Sequence, residues 1–226
     1  MPVTELAWIP SATPGCVSPA LVEAICKGIE AQSEWAAKHA SSTLPAGPPA
    51  ARGAALYRQR EDPGVALVTA HWDSPAQHVA CIGSEENRGA MQAIARHAVA
   101  EGVRFFHVEG AWMFGPETLE AGRPLLSVVR IGVEGGDEAR RARVERIWEG
   151  KAKGVVDAWA GVGHCAGWRV EKEVGGGEAR DEFVVVGAWR DGDALSRFVG
   201  DGMAEWDEVW GDVALEMDVK TYSRIA

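Results

Sequence analysis

The apolar positions of this chain fall into short strand-like runs separated by stretches of helical spacing, and the whole arrangement occurs twice. Leu67-Val68-Thr69-Ala70-His71-Trp72-Asp73 is a strand pattern running into a polar turn, and Val184-Val185-Val186-Gly187-Ala188-Trp189-Arg190 repeats it 117 residues later. A helix start follows each run. Ser74-Pro75 supplies an N-cap and a proline at the first helical position, and Asp191-Gly192-Asp193 takes the capping part in the second copy. Each copy opens with an apolar strand (Leu6–Ile9; Leu125–Val133) and an amphipathic helix, from Ser18 to His39 and from Asp137 to Lys153. Trp35 and Trp148 sit late in these helices at comparable places. A further strand (Ala54–Arg60; His164–Val174) precedes the matched one, and a closing strand (Val103–Trp112; Val213–Tyr222) ends each copy.

The order β-α-β-β-α-β, met twice, predicts an α+β chain of two tandem ferredoxin-like units. Residues 1–117 form the first and residues 118–226 the second, degenerate one, with the two sheets packed face to face into an intramolecular barrel around an apolar pocket. The breaks fall where this scheme needs them. Thr43 to Pro49 cannot continue a helix, Gly115 to Pro124 joins the copies, and Gly175-Gly176-Gly177 links two strands without the helix start a phosphate cradle requires.

Composition narrows the partners. Against 33 acidic residues stand 23 basic ones, a net charge of −10 spread over both halves, so no nucleic-acid footprint is present. The N-terminus lacks a signal-peptide pattern and no apolar run approaches membrane-spanning length, so no membrane partner and a cytoplasmic location are expected. Cys16, Cys26, Cys81 and Cys165 have no CxxC spacing and read as free thiols. No nucleophile elbow, phosphate-binding loop or dinucleotide turn occurs, and no histidine spacing fits a metal; neither cofactor nor metal is expected.

Trp72-x-Ser74-x-x-x-His78, then Ile82-x-Ser84-x-x-Asn87 and His107-Val108-Glu109, resemble the dimeric α+β barrel superfamily, in particular tandem fungal proteins related to antibiotic-biosynthesis monooxygenase domains. By element order the resemblance covers nearly the whole chain, while its motifs are concentrated in residues 65–109. It implies a barrel in which relatives bind ligands, in a superfamily of cofactor-free oxygenases, cyclases, decarboxylases, haem-degrading enzymes and proteins of unknown role. In a fused pair the partner sheet comes from the same chain, so a monomer is expected, with a homodimer as the alternative.

Histidine is the side chain best placed for proton transfer near neutral pH. His39 and His97 close helices and read as solvent-facing. Alternation places Leu67, Thr69 and His71 opposite Trp72, toward the barrel interior. His78 stands in the first turn of the next helix, and His107 with Glu109 lies on a strand ending nearby. The expectation is that His71, His78, His107 and Glu109 converge at one end of the first copy's pocket, either as a proton-transfer site or as structural hydrogen-bonding groups. In the second copy Leu195 replaces His78, and Met217 or Asp218 replaces His107. Arg130, inside an apolar strand, meets either a carboxylate or an anionic ligand. Trp8, Trp168 and Tyr57 are candidates for an aromatic pocket wall. These residues suggest a cofactor-independent enzyme for a hydrophobic, aromatic or polyketide-like molecule of secondary metabolism, acting by oxygenation, cyclisation or isomerisation, or decarboxylation. A non-catalytic carrier for a hydrophobic metabolite or haem is the alternative.

Overall fold

A computed structural model describes residues 1–39, 47–109, 125–135, 137–159, 163–172 and 180–225. The first copy runs β1 (Val3–Pro10), α1 (Pro19–His39), β2 (Ala55–Gln59), β3 (Val65–Trp72), α2 (Pro75–Ile82), α3 (Glu85–Ala95) and β4 (Arg104–Glu109). In the second, β5 (Leu125–Glu134) leads into α4 (Glu138–Ile147), a π turn at Trp148–Ala152 and α5 (Lys153–Trp159). β6 (Gly163–Trp168), β7 (Arg180–Trp189), α6 (Gly192–Arg197), a π turn at Phe198–Gly202, α7 (Met203–Trp210) and β8 (Glu216–Arg224) complete it.

The helix starts predicted from sequence are made by their caps. Ser74 Oγ accepts from the Gln77 N–H at 3.2 Å, with Pro75 at the first helical position, and Asp191 Oδ1 accepts from the Ala194 N–H at 2.8 Å. The second helix of the first copy, a single helix by element order, is instead broken in two. It stops at Gly83, and Ser84 caps a new helix by accepting from the Asn87 N–H. The predicted join at 117/118, the Gly175–Gly177 loop and most of the Thr43–Pro49 loop lie outside the described residues.

All eight strands form one antiparallel sheet in the order β4-β1-β3-β2-β8-β5-β7-β6. The copies therefore meet at a β2–β8 seam, where Arg58 faces Ser223 and the Ile225 N–H donates to the Leu56 carbonyl. The free edges, β4 and β6, also meet. Val108 bridges Arg169, and the Val170 N–H donates to the His107 carbonyl at 2.8 Å. This second seam is tight: a Cβ on Gly167 would lie 2.1 Å from the Glu109 carbonyl oxygen.

Strand alternation sorts the core into layers. Leu6, Tyr57, Leu67, Phe106, Val108, Leu126, Val128, Val184, Val186 and Tyr222 fill the barrel. The opposite faces pack on helices, with Leu21, Ile25, Trp35, Leu56, Val68 and Trp72 in the first copy. In the second copy that layer is dense with aromatic rings: Trp148, Trp168, Phe183, Trp189, Phe198, Trp206 and Trp210.

Candidate functional site

The first copy's helix-packed face holds a row of buried ionisable groups. Antiparallel register sets Glu5 of β1 directly opposite His107 of β4, and directly opposed residues share a face. Glu5, His78 and His107 are all at most 4% exposed. His78 Nδ1 lies 2.8 Å from His107 Nε2, and His78 Nε2 lies 3.4 Å from Glu5 Oε2. The His78 ring stacks on Trp72 at 4.4 Å, and the Trp72 indole N–H donates to Glu5 Oε2 at 2.8 Å.

The far end of the row comes from the second copy. Glu171, just beyond β6, accepts the His107 backbone N–H at 2.7 Å on one oxygen and engages His107 Nδ1 with the other. Its side chain is 37% exposed, so the row connects the buried Glu5 to solvent. A carboxylate only accepts, so His107 carries a proton on Nδ1 toward Glu171. With both rings neutral, His107 accepts at Nε2 from His78 Nδ1–H, and the unprotonated His78 Nε2 accepts from Glu5 when that carboxyl is protonated.

Burial pushes the Glu5 carboxyl up to about 7, only partly offset by the Trp72 hydrogen bond and by His107. Burial, with His107 beside it, drives the His78 imidazole down to about 3. Burial also raises Glu171, but the two hydrogen bonds from His107 outweigh it and hold this carboxyl below its ordinary range. Near neutrality the row therefore holds a neutral His78 between a half-titrated Glu5 and an ionised Glu171.

Glu5 and His78, with Gln32 and Asn87, are the polar groups of a mostly apolar cavity of about 130 Å³ between sheet and helices. Ala7, Ile25, Ile29, Val68 and Ile94 line it, and Asn87 is buried. Its rim includes Ile82, Met91 and Phe105, each more than a third exposed.

The second copy shows what the fold itself requires at these positions. Val3 faces Trp72 as Leu125 faces Trp189, so Glu5 corresponds to Ser127; Glu5 faces His107 as Ser127 faces Thr221. The counterpart of His107 is thus Thr221, not Met217 or Asp218 as the sequence suggested. Trp189 donates its indole N–H to Ser127 Oγ at 2.9 Å, as Trp72 does to Glu5. Glu61 accepts from the Thr221 backbone N–H and, at 2.6 Å, from its hydroxyl, as Glu171 does from His107. Leu195, one turn after its cap like His78, is buried among aromatic rings. The same scaffold is therefore completed by Ser127, Leu195 and Thr221 in one copy and by Glu5, His78 and His107 in the other.

The sequence brought His78 and His107 together correctly but on the wrong face. Phe106 and Val108 fill the barrel, so His107 and, by register with Val3, Glu109 lie on the helix side. His71 pairs with Thr4 on the opposite face and does not join them. It packs under Gly53, where a Cβ would stand 2.0 Å from its ring and where φ is +67°, and burial pushes its imidazole down to about 4. Thr69 is fully buried and donates its hydroxyl to the Gly53 carbonyl at 2.7 Å, a structural bond. Tyr57 is buried in the barrel interior and does not line the Glu5–His78 cavity. Trp168 is no barrel wall. It pairs with Phe183 on the helix side, with its indole donating to Glu145 and Arg141 over its ring. Trp8 and Arg130 do line a barrel cavity, and Arg130 is held bidentately by Glu182 at 2.9 and 2.6 Å, the first of the two partners its sequence context allowed.

Glu5 and Glu171 were missed. Glu5 is an acidic residue at an inward-facing place of an apolar strand, a signal the sequence did carry. Glu171 gave none, because its partner belongs to the other copy.

All four ring nitrogens of His78 and His107 face protein groups, so neither histidine aims at an open coordination position. The pair does not fit as a haem ligand.

With the barrel and its site in place, comparison with solved structures settles the architecture. An anthrone oxidase-like protein superposes with a TM-score of 0.59 at 13% identity, covering 100% of this chain and 92% of its own. A candidate chlorite dismutase gives 0.56 at 11%, covering 99% and 95%, and a candidate monooxygenase from Lactobacillus acidophilus NCFM gives 0.51 at 12%, covering 99% and 93%. The chain has the dimeric α+β barrel fold. At these identities the likeness speaks for the fold alone. No protein-family model matches the sequence, and no curated protein sequence does either.

Proposed function

We propose that this α+β barrel chain is a cofactor-independent enzyme that removes a proton from a hydrophobic aromatic substrate held between the first copy's sheet and helices. The observation that carries the reading is the difference between the copies. Ser127, Leu195 and Thr221 satisfy the scaffold, so Glu5, His78 and His107 exceed what folding requires.

Glu5 is the base. A carboxyl titrating near 7 combines a usable ionised fraction with a proton affinity suited to neutral conditions. The substrate's C–H or O–H proton moves to Glu5, leaving the electron pair on the substrate as an enolate or phenolate. Glu5 then passes a proton to His78 Nε2, His78 Nδ1 gives one to His107 Nε2, and His107 Nδ1 gives one to Glu171 at the surface. Glu171 releases the proton to water; the relay leaves both imidazoles in the opposite tautomer, and a proton returning by the same path, from Glu171 through His107 and His78 to Glu5, protonates the product anion and restores them. The apolar lining keeps water from competing for the nascent anion. Oxygenation, cyclisation or isomerisation, and decarboxylation can all follow from that anion, and the solved neighbours include an anthrone oxidase-like protein and candidate monooxygenases.

The test uses anthrone and simpler acidic phenols as probes, following oxygen uptake and deuterium exchange from heavy water. Glu5→Gln and His78→Leu should cut the rate by roughly 10²–10⁴-fold while the protein stays folded. Wild-type protein that neither exchanges nor oxidises any probe, or variants with full activity, would sink the reading.

A further inference from the structure

A second cavity, of about 200 Å³, opens at one end of the barrel and, among the described residues, shares only Phe105 with the Glu5–His78 cavity. Its walls are equivalent positions of the two copies, which places it across the axis relating them. By register Trp8 corresponds to Arg130, Phe106 to Lys220, and Gln59 to Arg169, and all six line the cavity. The chemistry has diverged between the paired walls. The first copy presents the flat rings of Trp8 and Phe106, 5.1 Å apart, with the Trp8 indole donating to the Tyr222 hydroxyl at 2.8 Å. The second copy presents cations: Arg169 lies over the Phe106 ring at 4.5 Å and Arg130 at 5.6 Å, with Lys220 beside them.

Arg104 adds a fourth cation to the lining. Asp218 meets Lys220 at 2.6 Å, and Glu182 sits behind Arg130 and Arg169 at 2.6 and 3.5 Å without lining the cavity. Among the described residues the lining itself carries four cations and one carboxylate, Asp218, in a molecule whose net charge is −10. A half-enclosed, low-dielectric mouth of that kind concentrates small anions from solution. The guanidinium planes are already held by Phe106 and Glu182, so ordering them for a ligand costs little further entropy.

We infer that the barrel mouth binds a small carboxylic acid with a flat apolar body, its ring against Trp8 and Phe106 and its carboxylate toward the Arg104, Arg130, Arg169 and Lys220 side. The volume restricts it to about a single ring, below the range usual for drug-sized ligands.

The experiment is titration calorimetry of the full chain with benzoate, with benzamide as the neutral isostere and inorganic phosphate as the anion without a ring. Amide-shift mapping is run alongside. Benzoate should bind once per chain, about tenfold or more tighter than either control. Lys220→Met and Arg104→Met, both at the solvent side of the cavity, should each weaken it by about fivefold or more, since each removes one favourable charge. Shifts should centre on Gln59, Arg104 and Lys220 and leave Gln32 and Met91, beside the other cavity, unmoved. Benzamide binding as tightly as benzoate, phosphate doing so, no benzoate binding at millimolar concentration, or shifts centred on Gln32 and Met91 would each overturn the assignment. The proton-transfer reading does not depend on the result, because its own test reads the Glu5 site.

Discussion

Glu5 and Ser127 stand at the same place in the two halves of the barrel, and each accepts the indole N–H of a strand-end tryptophan, Trp72 at 2.8 Å and Trp189 at 2.9 Å. A hydroxyl makes that bond as well as a carboxylate does. The carboxylate adds a charge that must be buried, which is costly unless it is used or neutralised.

That equivalence supplies a stringent variant. Glu5→Ser, His78→Leu and His107→Thr together rewrite the first copy's row in the second copy's residues. The protein should still fold, with thermal unfolding remaining cooperative, because the same scaffold already accepts those side chains at Ser127, Leu195 and Thr221. Proton abstraction should fall by roughly 10²–10⁴-fold. A collapsed fold would mean the row is structural; retained activity would mean the chemistry lies elsewhere.

Glu171 offers a separate handle, since it holds the proton exit without touching the cavity. Glu171→Gln keeps an acceptor for the His107 backbone N–H but removes the charge that orients the His107 ring. The rate should become limited by proton release, so added small buffers should restore part of it. Buffer rescue of Glu171→Gln, absent in Glu5→Gln, is the signature; equal rescue or none in both removes Glu171 from the path.

Stability against pH tests the buried groups without any substrate. A carboxyl raised from 4.5 to about 7 contributes stability that is present below about 4.5 and lost as pH rises through about 7. Glu5→Gln should therefore gain on wild type by up to about 3 kcal/mol between pH 4.5 and 7.5. His71 and His78, lowered to about 4 and about 3, act in the opposite sense: their contribution is present above about 6.5 and lost as pH falls. Wild type should thus lose stability on acidification below about 6.5, and Glu5→Gln should lose it more steeply. Chemical denaturation from pH 4.5 to 8 reads both slopes, and parallel curves would show that Glu5 titrates normally.

The sequence carried most of this architecture because its signals are local. Strand alternation, the Ser74-Pro75 and Asp191 caps and the repeated Trp72 and Trp189 all act within a few residues. The same logic brought His78 and His107 together, since a helix start and a parallel strand end are placed by topology. What it missed depends on register. Which face His107 occupies is decided by Phe106 and Val108 filling the barrel, and a one-residue offset reverses it. Counting from the chain gave Met217 or Asp218 as the counterpart of His107, whereas pairing with Ser127 gives Thr221. Glu171 reaches its partner across the β4–β6 seam, a contact that exists only once the barrel closes.

The tryptophans divide by layer. Trp72 and Trp189 are at most 1% exposed, so Trp72→Ala and Trp189→Ala should each cost about 3–5 kcal/mol. Trp8, in the barrel mouth, should cost less and instead weaken benzoate binding. Trp72→Phe is more informative than truncation: it retains an aromatic ring against His78 and removes the N–H that holds the Glu5 carboxylate. The Glu5 carboxyl should rise further, and the rate profile should move to higher pH with little change in its plateau. An unchanged profile would show that this hydrogen bond does not tune the base.

Assembly follows from the two seams. Each copy's barrel-facing layer is covered by the other, and both β2–β8 and β4–β6 join within one chain. The full chain should therefore run at 24.2 kDa in size-exclusion chromatography with light scattering. A fragment of residues 1–117 exposes the barrel face of its sheet, with Leu6, Tyr57, Leu67 and Phe106, along with the unpaired edges of β2 and β4. Exposed apolar faces and open edges associate, so the fragment should self-dimerise or precipitate. It also loses Glu171, and with it the group that sets the His107 tautomer. A dimeric fragment places Glu61 of one copy, the counterpart of Glu171, across the reconstituted seam from His107 of the other. Such a dimer should recover part of the proton-transfer rate, and its Glu61→Gln variant should lose that recovery. A stable monomeric fragment would show that the barrel is not held together by these seams.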